Sequence, residues 1–472
     1  MGAATLLNFE STPDNITKQE IEPALRRKKV RCMYDCAAMD SLQHHSSIPS
    51  LINLRVLPHT VHEFGVEARK AGKSWEAAFN GPIQSWADAG TGEVIYGVTV
   101  RLSRIKDPFT RELYSTNILF YLPEEAMHGM HNVYDMARKF PFTRIRGPRT
   151  SPPQCPPRAG QLWYDANPEG VIMEDVRQSP ATLPDGRPGF FVTGQGYRGK
   201  VVLPDGLFIH DVGVYGGYLD PQERPAHLEL QHLFGGVEFV SGKTNTEDDL
   251  FLTELGEDIW VKGIVGNAVE ELHVESYKNS VRLPSPFKDK VLIGARSMSE
   301  TKLLPYFESA DPSGLRGYGL RGFVDGLPPA IGPSVWERVN RVGLGSNFIP
   351  CPELGGHIGL IHVVLERNNP DHPETHDPVY PDIEEQYEGW VVWLDFNDTG
   401  APHVKSCLRA LTPDDVPRCY QGAGELFDTK RVAFPISLYR VGDNLRVGYG
   451  WGDRALFQAE FDYQTVVRQL AA

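Results

Sequence analysis

Short β-type runs separated by turn residues recur along this chain from about residue 50 to its end, and long amphipathic helices are nearly absent. The runs include EVIYGVTVRL, GFFVTGQG, KVVLPDGLFIHDVGVY, KVLIGARSM, HIGLIHVVLE, GWVVWLDF and LRVGYGW. Gly-containing turns precede several of them: TGE before Val94, PDGRP before Gly189 and VGDN before Leu445. An apolar, β-branched and aromatic run that follows such a turn reads as one strand of a hairpin. With no competing helical periodicity, the pattern implies an all-β class.

The spacing of the runs narrows the architecture. Polar residues open the strongest runs at Asn80, Asp175, Asn279, Asn347 and Asp428. The average step is roughly 80 to 90 residues, generous for a four-stranded blade with long loops. Imperfect repeats of this kind predict a five-bladed β-propeller. A pair of β-sandwiches is the alternative, and no Greek-key or Cys-pair signature supports it. Residues 1–45, polar and charged with a short helix expected over 17–27, read as an N-terminal extension. Residues 46–472 read as one propeller domain. In such a fold the innermost strands line a channel, so one polar residue per blade can converge on a ligand at its mouth.

Composition excludes several function classes. The formal net charge of -14 opposes attraction to nucleic acid, which depends on clustered Lys and Arg. The one basic run, RRKK at residues 26–29, reads as solvated surface. The start MGAATLLNFE lacks the pattern of a secretory signal, and Leu6 stands where myristoylation wants Ser or Thr. No apolar run approaches the roughly 18 residues that span a bilayer. The expectation is a cytoplasmic protein with no membrane partner, free to form a homo-oligomer. Six cysteines are too few for a disulfide framework, and the Cys32 and Cys36 pair lacks a second pair of zinc ligands. Sequons at Asn15 and Asn397 would matter only in a secreted chain.

The second half carries a family resemblance. RVGLGSNFIPCPELGGHIGLIHVV, YEGWVVWLDF and LFDTKRVAFPISLYRVGDNLRVGYGWGD resemble the last two blades of glycoside hydrolase family 130. They resemble equally the related mannosyltransferase-phosphorylases of glycosyltransferase family 108. WEAAFNGPIQ and VIYGVTVRLSR are similar to the first blade, VIMEDVRQSP to the second, and SYKNSVRLP with VLIGARSM to the third, so the resemblance spans about residues 75 to 461. It implies a five-bladed propeller acting on β-mannosides. It also implies site residues. Asp175, preceded by Glu174, matches the general acid of the second blade, with Val176 where the family has proline. Asn80 and Arg101 match a ligand-facing pair of the first blade. Lys278, Asn279 and Arg296 match substrate-binding residues of the third, Asn347 and His362 of the fourth, and Asp428 and Asp453 of the fifth. The sequence between about residues 130 and 245 is longer than in those families, so Asp220 or Asp249 are alternative blade-two acids.

These residue types permit a defined chemistry. Cleaving a glycosidic bond needs a proton for the departing oxygen and a nucleophile at the anomeric carbon, usually supplied through two carboxyl groups. Inorganic phosphate is already an anionic nucleophile, so one acid and a cationic cradle suffice. Asp175 with Lys278, Arg296 and His362 would meet that need, with phosphate or a sugar phosphate as co-substrate and no cofactor or metal. An inverting hydrolase would need a second carboxylate about 6.5–9.5 Å away, for which Asp249, Glu353 or Asp428 are available. A non-catalytic carbohydrate-binding propeller is the third reading. Each residue also has a structural reading: Asp175 as a turn residue, His362 as a core histidine inside GLIHVVLE, and Tyr387, Trp390 and Trp393 as packing aromatics.

Overall fold

In a computed structural model, the residues described are 60–70, 77–107, 112–148, 172–202, 208–235, 259–261, 272–274, 277–284, 291–297, 306–309, 316–318, 339–368, 381–396, 402–415, 417, 420 and 430–472. The expected N-terminal extension and its helix lie outside them, as do Asp249 and Asp428.

Antiparallel strands dominate the described residues. Strand β1 (Thr60–Glu67) precedes a first group, in which β2 (Ala77–Phe79) and β3 (Ile83–Ala87) share the inner edge of β4 (Val94–Asp107), followed by β5 (Glu112–Pro123). The chain then forms β6 (Gly129–Asn132), parallel to β1, and helix α1 (Val133–Lys139), before β7 (Phe142–Arg146) completes the group beside β5. The second group orders β8 (Ile172–Thr182), β9 (Pro188–Val202), β10 (Phe208–Leu219) and β12 (Gln231–Gly235). Between its last two strands, β11 (His227–Glu229) returns to pair with β7. A short hairpin, β13 (Ile259–Val261) and β14 (Leu272–Val274), leads to the third group of β15 (Tyr277–Leu283), β16 (Val291–Ser297), β17 (Tyr306–Ser309) and β18 (Arg316–Tyr318).

In the fourth group, β19 (Val339–Leu344) and β20 (Ile349–Cys351) share the inner edge of β21 (Gly356–Glu366), followed by β22 (Glu385–Phe396) and β23 (Pro402–Leu411). The last group runs β24 (Lys430–Val441), β25 (Asn444–Trp451) and β26 (Ala455–Asp462), and its outer strand is β1. The final strand of the fold thus comes from before the first group. Helix α2 (Tyr463–Ala471) follows, with the Asp462 side chain accepting a hydrogen bond from Thr465 N at 2.7 Å as its N-cap.

The central strands are buried on both faces, which explains their near-continuous apolar sequences. In β21 every residue from Ile358 to Leu365 is buried, and in β24 every residue from Val432 to Tyr439. Strands alternate apolar and polar only when one face meets water. Here each group is covered by its neighbours. Leu119 and Tyr121 of the first group pack with Phe190 and Tyr215 of the second, and Phe191 of the second packs with Ile293 of the third. Leu283 and Leu292 pack with Val363 and Trp390 of the fourth, and Leu360 and Val391 with Val447 and Phe457 of the last. Phe434 and Ile436 of the last group then join Val98 and Phe120 of the first, so the succession of apolar layers closes on itself.

Polar bonds run around the inner edge in the same order. Gln178 Nε2 donates to Thr99 Oγ1 at 2.9 Å, Thr193 Oγ1 to Ser280 O at 2.9 Å, Asn347 Nδ2 to Leu438 O at 2.8 Å, and Ile83 N to Ser437 Oγ at 2.8 Å. No helix among the described residues is long and apolar enough to cross a membrane.

Candidate functional site

The inner strands share one local device. Asn80, Asp175 and Asn279 have φ of 48°, 48° and 56°, and each sits near the start of the inner edge of its group. Strand pairing shifts register between Glu174 and Arg177 and again between Lys278 and Val281, so Asp175 and Asn279 lie in bulges. Left-handed backbone is unfavourable for most side chains and least so for Asn and Asp. A bulge also re-aims the side chains beside it. The outcome is three short polar side chains, 6%, 4% and 3% exposed, at equivalent places around the inner ring. Only Asp175 among them can ionise.

Three charged side chains, Arg101, Glu174 and Arg177, surround that position, all buried. Arg101 donates through Nη2 to Glu174 Oε1 and through Nε to Ser115 Oγ at 3.1 Å, and its Nη1 lies 3.6 Å from Asp175 Oδ1. The Phe79 ring lies 5.3 Å from its guanidinium carbon. Arg177, fully buried, donates through Nη1 to Val176 O at 2.9 Å and lies 5.4 Å from the centre of the Phe434 ring. Burial lowers the Arg177 pKa to about 10, against the opposing effect of Asp175, so the group is still cationic at neutral pH. On the same ring, His362 stacks with centroids 4.6 Å apart, and its Nε2 lies 3.4 Å from Asn279 Nδ2.

Other sequence-derived candidates fall in different places. Lys278 and Arg296 are cross-strand partners on β15 and β16, directly before the Asn279 bulge. Asn347 lies at the ring, but its side chain is committed to protein: Oδ1 accepts from Gln84 Nε2 at 2.9 Å and Leu438 N at 3.1 Å, and Nδ2 donates to Leu438 O. It acts as a strut between groups. Asp453, φ 51°, sits in the turn between β25 and β26, next to the Arg454 carbonyl that accepts from Ala78 N at 3.0 Å. In the last group the register shift falls between Pro435 and Ser437, eight or so positions past Asp428. Asp220 follows β10 and pairs with Arg187, whose side chain is 52% exposed, so it belongs to a surface turn. Glu353 accepts from Tyr463 Oη at 2.7 Å beside helix α2. Of the three aromatics, Trp390 donates to buried Glu388 at 3.2 Å, Trp393 packs at the core edge, and Tyr387 lies 6.4 Å from Phe434.

Arg177, Gln84 and Phe434 escaped the sequence reading. Arg177 sits two residues from Asp175, where simple alternation would give it the same face, yet a charged residue beside Val176 carries no mark of burial; the bulge decides it. The ring also needs close backbone approach. A Cβ on Gly343 would collide with the His362 imidazole and crowd Asn279 Nδ2 at 3.1 Å. Gly343→Ala is therefore expected to destabilise the protein by about 1–3 kcal/mol, read from the urea midpoint. An unchanged midpoint would show that the imidazole yields freely.

Chemically, the three left-handed positions offer one ionisable carboxyl and two carboxamides, with the Glu174 carboxylate, guanidinium groups and an imidazole beside them. This arrangement suits proton transfer to a neutral polyhydroxyl ligand, with cations for an anion. Among the described residues, no group of three His, Cys, Asp or Glu side chains could hold a metal ion.

No protein-family profile matches the chain, and no curated protein matches it in sequence. Solved structures do resemble it. A β-1,2-mannobiose phosphorylase from Listeria innocua is 14% identical, with a TM-score of 0.41 over 86% of this chain and 95% of its own. A glycosyl hydrolase from Bacteroides ovatus is 12% identical, with a TM-score of 0.41 over 88% and 93%. A GDP-Man-dependent mannosyltransferase from Leishmania mexicana is 9% identical, with a TM-score of 0.43 over 92% and 94%. The structures similar to this chain thus include mannoside phosphorylases and a mannosyltransferase of the kinds its motifs resemble. Such identities and scores leave the chemistry to the chain's own residues.

Proposed function

We propose that this protein is a five-bladed β-propeller enzyme that breaks or builds β-mannosidic bonds, with Asp175 as its single general acid and phosphate or a sugar phosphate as co-substrate. The observation that carries the reading is the unique place of Asp175: of three equivalent, buried, left-handed positions around the inner ring, it alone bears an ionisable group. The resemblance to mannoside phosphorylases and to a mannosyltransferase supplies the substrate class.

In the degradative direction Asp175 gives its proton toward the departing glycosidic oxygen, directly or by way of a sugar hydroxyl. The bond from the anomeric carbon to that oxygen breaks as a phosphate oxygen attacks the carbon from the opposite face. The products are a sugar 1-phosphate of inverted configuration and the shortened mannoside. Lys278, Arg296 and His362 are proposed to hold the phosphate, and Asn80, Arg101 and Asn279 to meet sugar hydroxyls. Synthesis is the reverse of these steps, and a nucleotide-sugar donor would be used in the same site.

An inverting hydrolase is the rival. It needs a second carboxylate to activate water, about 6.5–9.5 Å from the acid. The described carboxylate next to Asp175 is Glu174, which is its chain neighbour and is bound to Arg101. The test is incubation with β-1,2-mannobiose and related β-mannosides, with and without phosphate, and with GDP-mannose as donor. Turnover only with phosphate or a mannosyl donor is expected. Mannose release in the absence of phosphate would establish the hydrolase, and binding without turnover a carbohydrate-binding scaffold.

A further inference from the structure

Arg177 is an expensive residue for this fold to keep. A guanidinium has five N–H donors, and a buried donor left unmade costs about 1–3 kcal/mol, more when it is charged. Arg177 is 1% exposed, and its Nε and Nη2 have no hydrogen-bond partner among the described residues. Its Nη1 donates to the carbonyl of its own neighbour Val176. Phe434 offers a ring face, which attracts the cation but satisfies no in-plane N–H.

The two unmade donors are adjacent. Nε and Nη2 form the side of the guanidinium that grips a carboxylate or phosphate through two parallel bonds. Arg409 uses that fork in this protein: its Nε donates to Glu388 Oε2 at 2.7 Å and its Nη2 to Glu388 Oε1 at 2.5 Å. In Arg177 the same fork is open. Glu174 does not close it: its Oε1 accepts from Arg101, and neither donor of the fork bonds to it. Asp175 is near enough to favour the charged form of Arg177 but makes no bond to the fork. When Asp175 carries the proton required of an acid, the cluster of Arg101, Arg177, Glu174 and Asp175 has one positive charge in excess.

We infer that Arg177 is the site's receptor for an oxyanion, gripping phosphate, free or carried on a sugar, through its Nε and Nη2. The inference rests on the proposed function only for the choice of phosphate among oxyanions. It adds a residue to that reading and explains why an unpaired cation is buried two positions after the acid.

The test uses the full chain and the variants Arg177→Met and Arg177→Lys. Replacing a buried, unpaired charge by an apolar side chain of similar volume is neutral or stabilising. Without added anion, Arg177→Met is therefore expected to melt at or above the wild-type temperature. Inorganic phosphate should raise the wild-type melting temperature and leave that of Arg177→Met unmoved. Calorimetric titration should show phosphate affinity lower by about 100-fold in Arg177→Met, with a smaller loss in Arg177→Lys, which keeps the charge without the fork. Parallel titrations with mannose 1-phosphate and mannose separate the sources: dependence on Arg177 for the sugar phosphate alone assigns the fork to a carried phosphate.

Unchanged phosphate and mannose 1-phosphate affinities in Arg177→Met would overturn the inference while leaving the proposed function standing. A lower melting temperature or misfolding of Arg177→Met in the absence of anion would assign the residue to packing and also overturn it. Release of free mannose by the wild type, indifferent to phosphate, would instead overturn the proposed function.

Discussion

Asp175→Asn is expected to lower turnover of β-mannosides by about 10²–10⁴-fold while leaving the melting temperature within a few degrees of wild type. The fold should survive because the substitution recreates what the ring already contains: Asn80 and Asn279 hold φ of 48° and 56° at the equivalent positions. The amide keeps the size and the left-handed tolerance of the carboxyl and loses the acid together with its charge beside Arg101 and Arg177. Asp175→Ala removes the acid too, but it forces a left-handed backbone on an ordinary side chain, at about 1–2 kcal/mol. Asn should therefore melt above Ala while the two are equally inactive. Steady-state kinetics and thermal melts check both. Activity in Asp175→Asn within tenfold of wild type would remove Asp175 as the acid.

Glu388→Ala should destabilise the protein by about 3–5 kcal/mol. Glu388 is fully buried on β22 and accepts from Arg409 twice, from Gln386 Nε2 at 2.5 Å and from Trp390 Nε1 at 3.2 Å. Removing it leaves Arg409, itself 12% exposed, without its counter-charge. The double variant Glu388→Met with Arg409→Met should recover most of the loss, because a buried ion pair and an apolar pair of similar volume are close in free energy. Urea unfolding of the two single variants and the double variant measures this. A loss below about 1 kcal/mol in Glu388→Ala would mean that water reaches the pair and screens it.

The contrast between Glu388 and Arg177 shows what a sequence conveys. Both are charged residues on strands, and neither announces burial, since alternation along a strand tells which face a residue takes and not what covers that face. Asn80, Asp175 and Asn279 were legible because short polar residues that tolerate left-handed backbone stand out where a strand begins. In the fourth group the same pattern pointed at Asn347, whose backbone is not left-handed and whose side chain ties Gln84 to Leu438. In the last group it pointed at Asp428, which lies outside the described residues; the described irregularity there falls between Pro435 and Ser437. Pro435 was the available signal, because a residue without an N–H breaks a strand ladder. Strand runs such as GLIHVVLE and GWVVWLDF were legible as strands by their length and β-branched content. Their burial on both faces follows from the groups on either side, which no local window contains.

The pairing of Lys278 with Arg296 illustrates the same limit. The two residues are 18 positions apart in sequence and opposite each other on β15 and β16. A hairpin between the runs implied neighbouring strands, but the register rests on the bulge at Asn279. A shift of one residue would have given Arg296 a different partner on β15.

The central claim is that a single acid and an anionic co-substrate carry out an inverting reaction at this ring. It is tested most directly by following wild type and Asp175→Asn with β-1,2-mannobiose and inorganic phosphate by phosphorus and proton nuclear magnetic resonance. The expected result is loss of inorganic phosphate in step with the appearance of α-mannose 1-phosphate in the wild type, and neither change in Asp175→Asn. Free mannose formed with phosphate untouched, or mannose 1-phosphate formed with the β configuration retained, would contradict it.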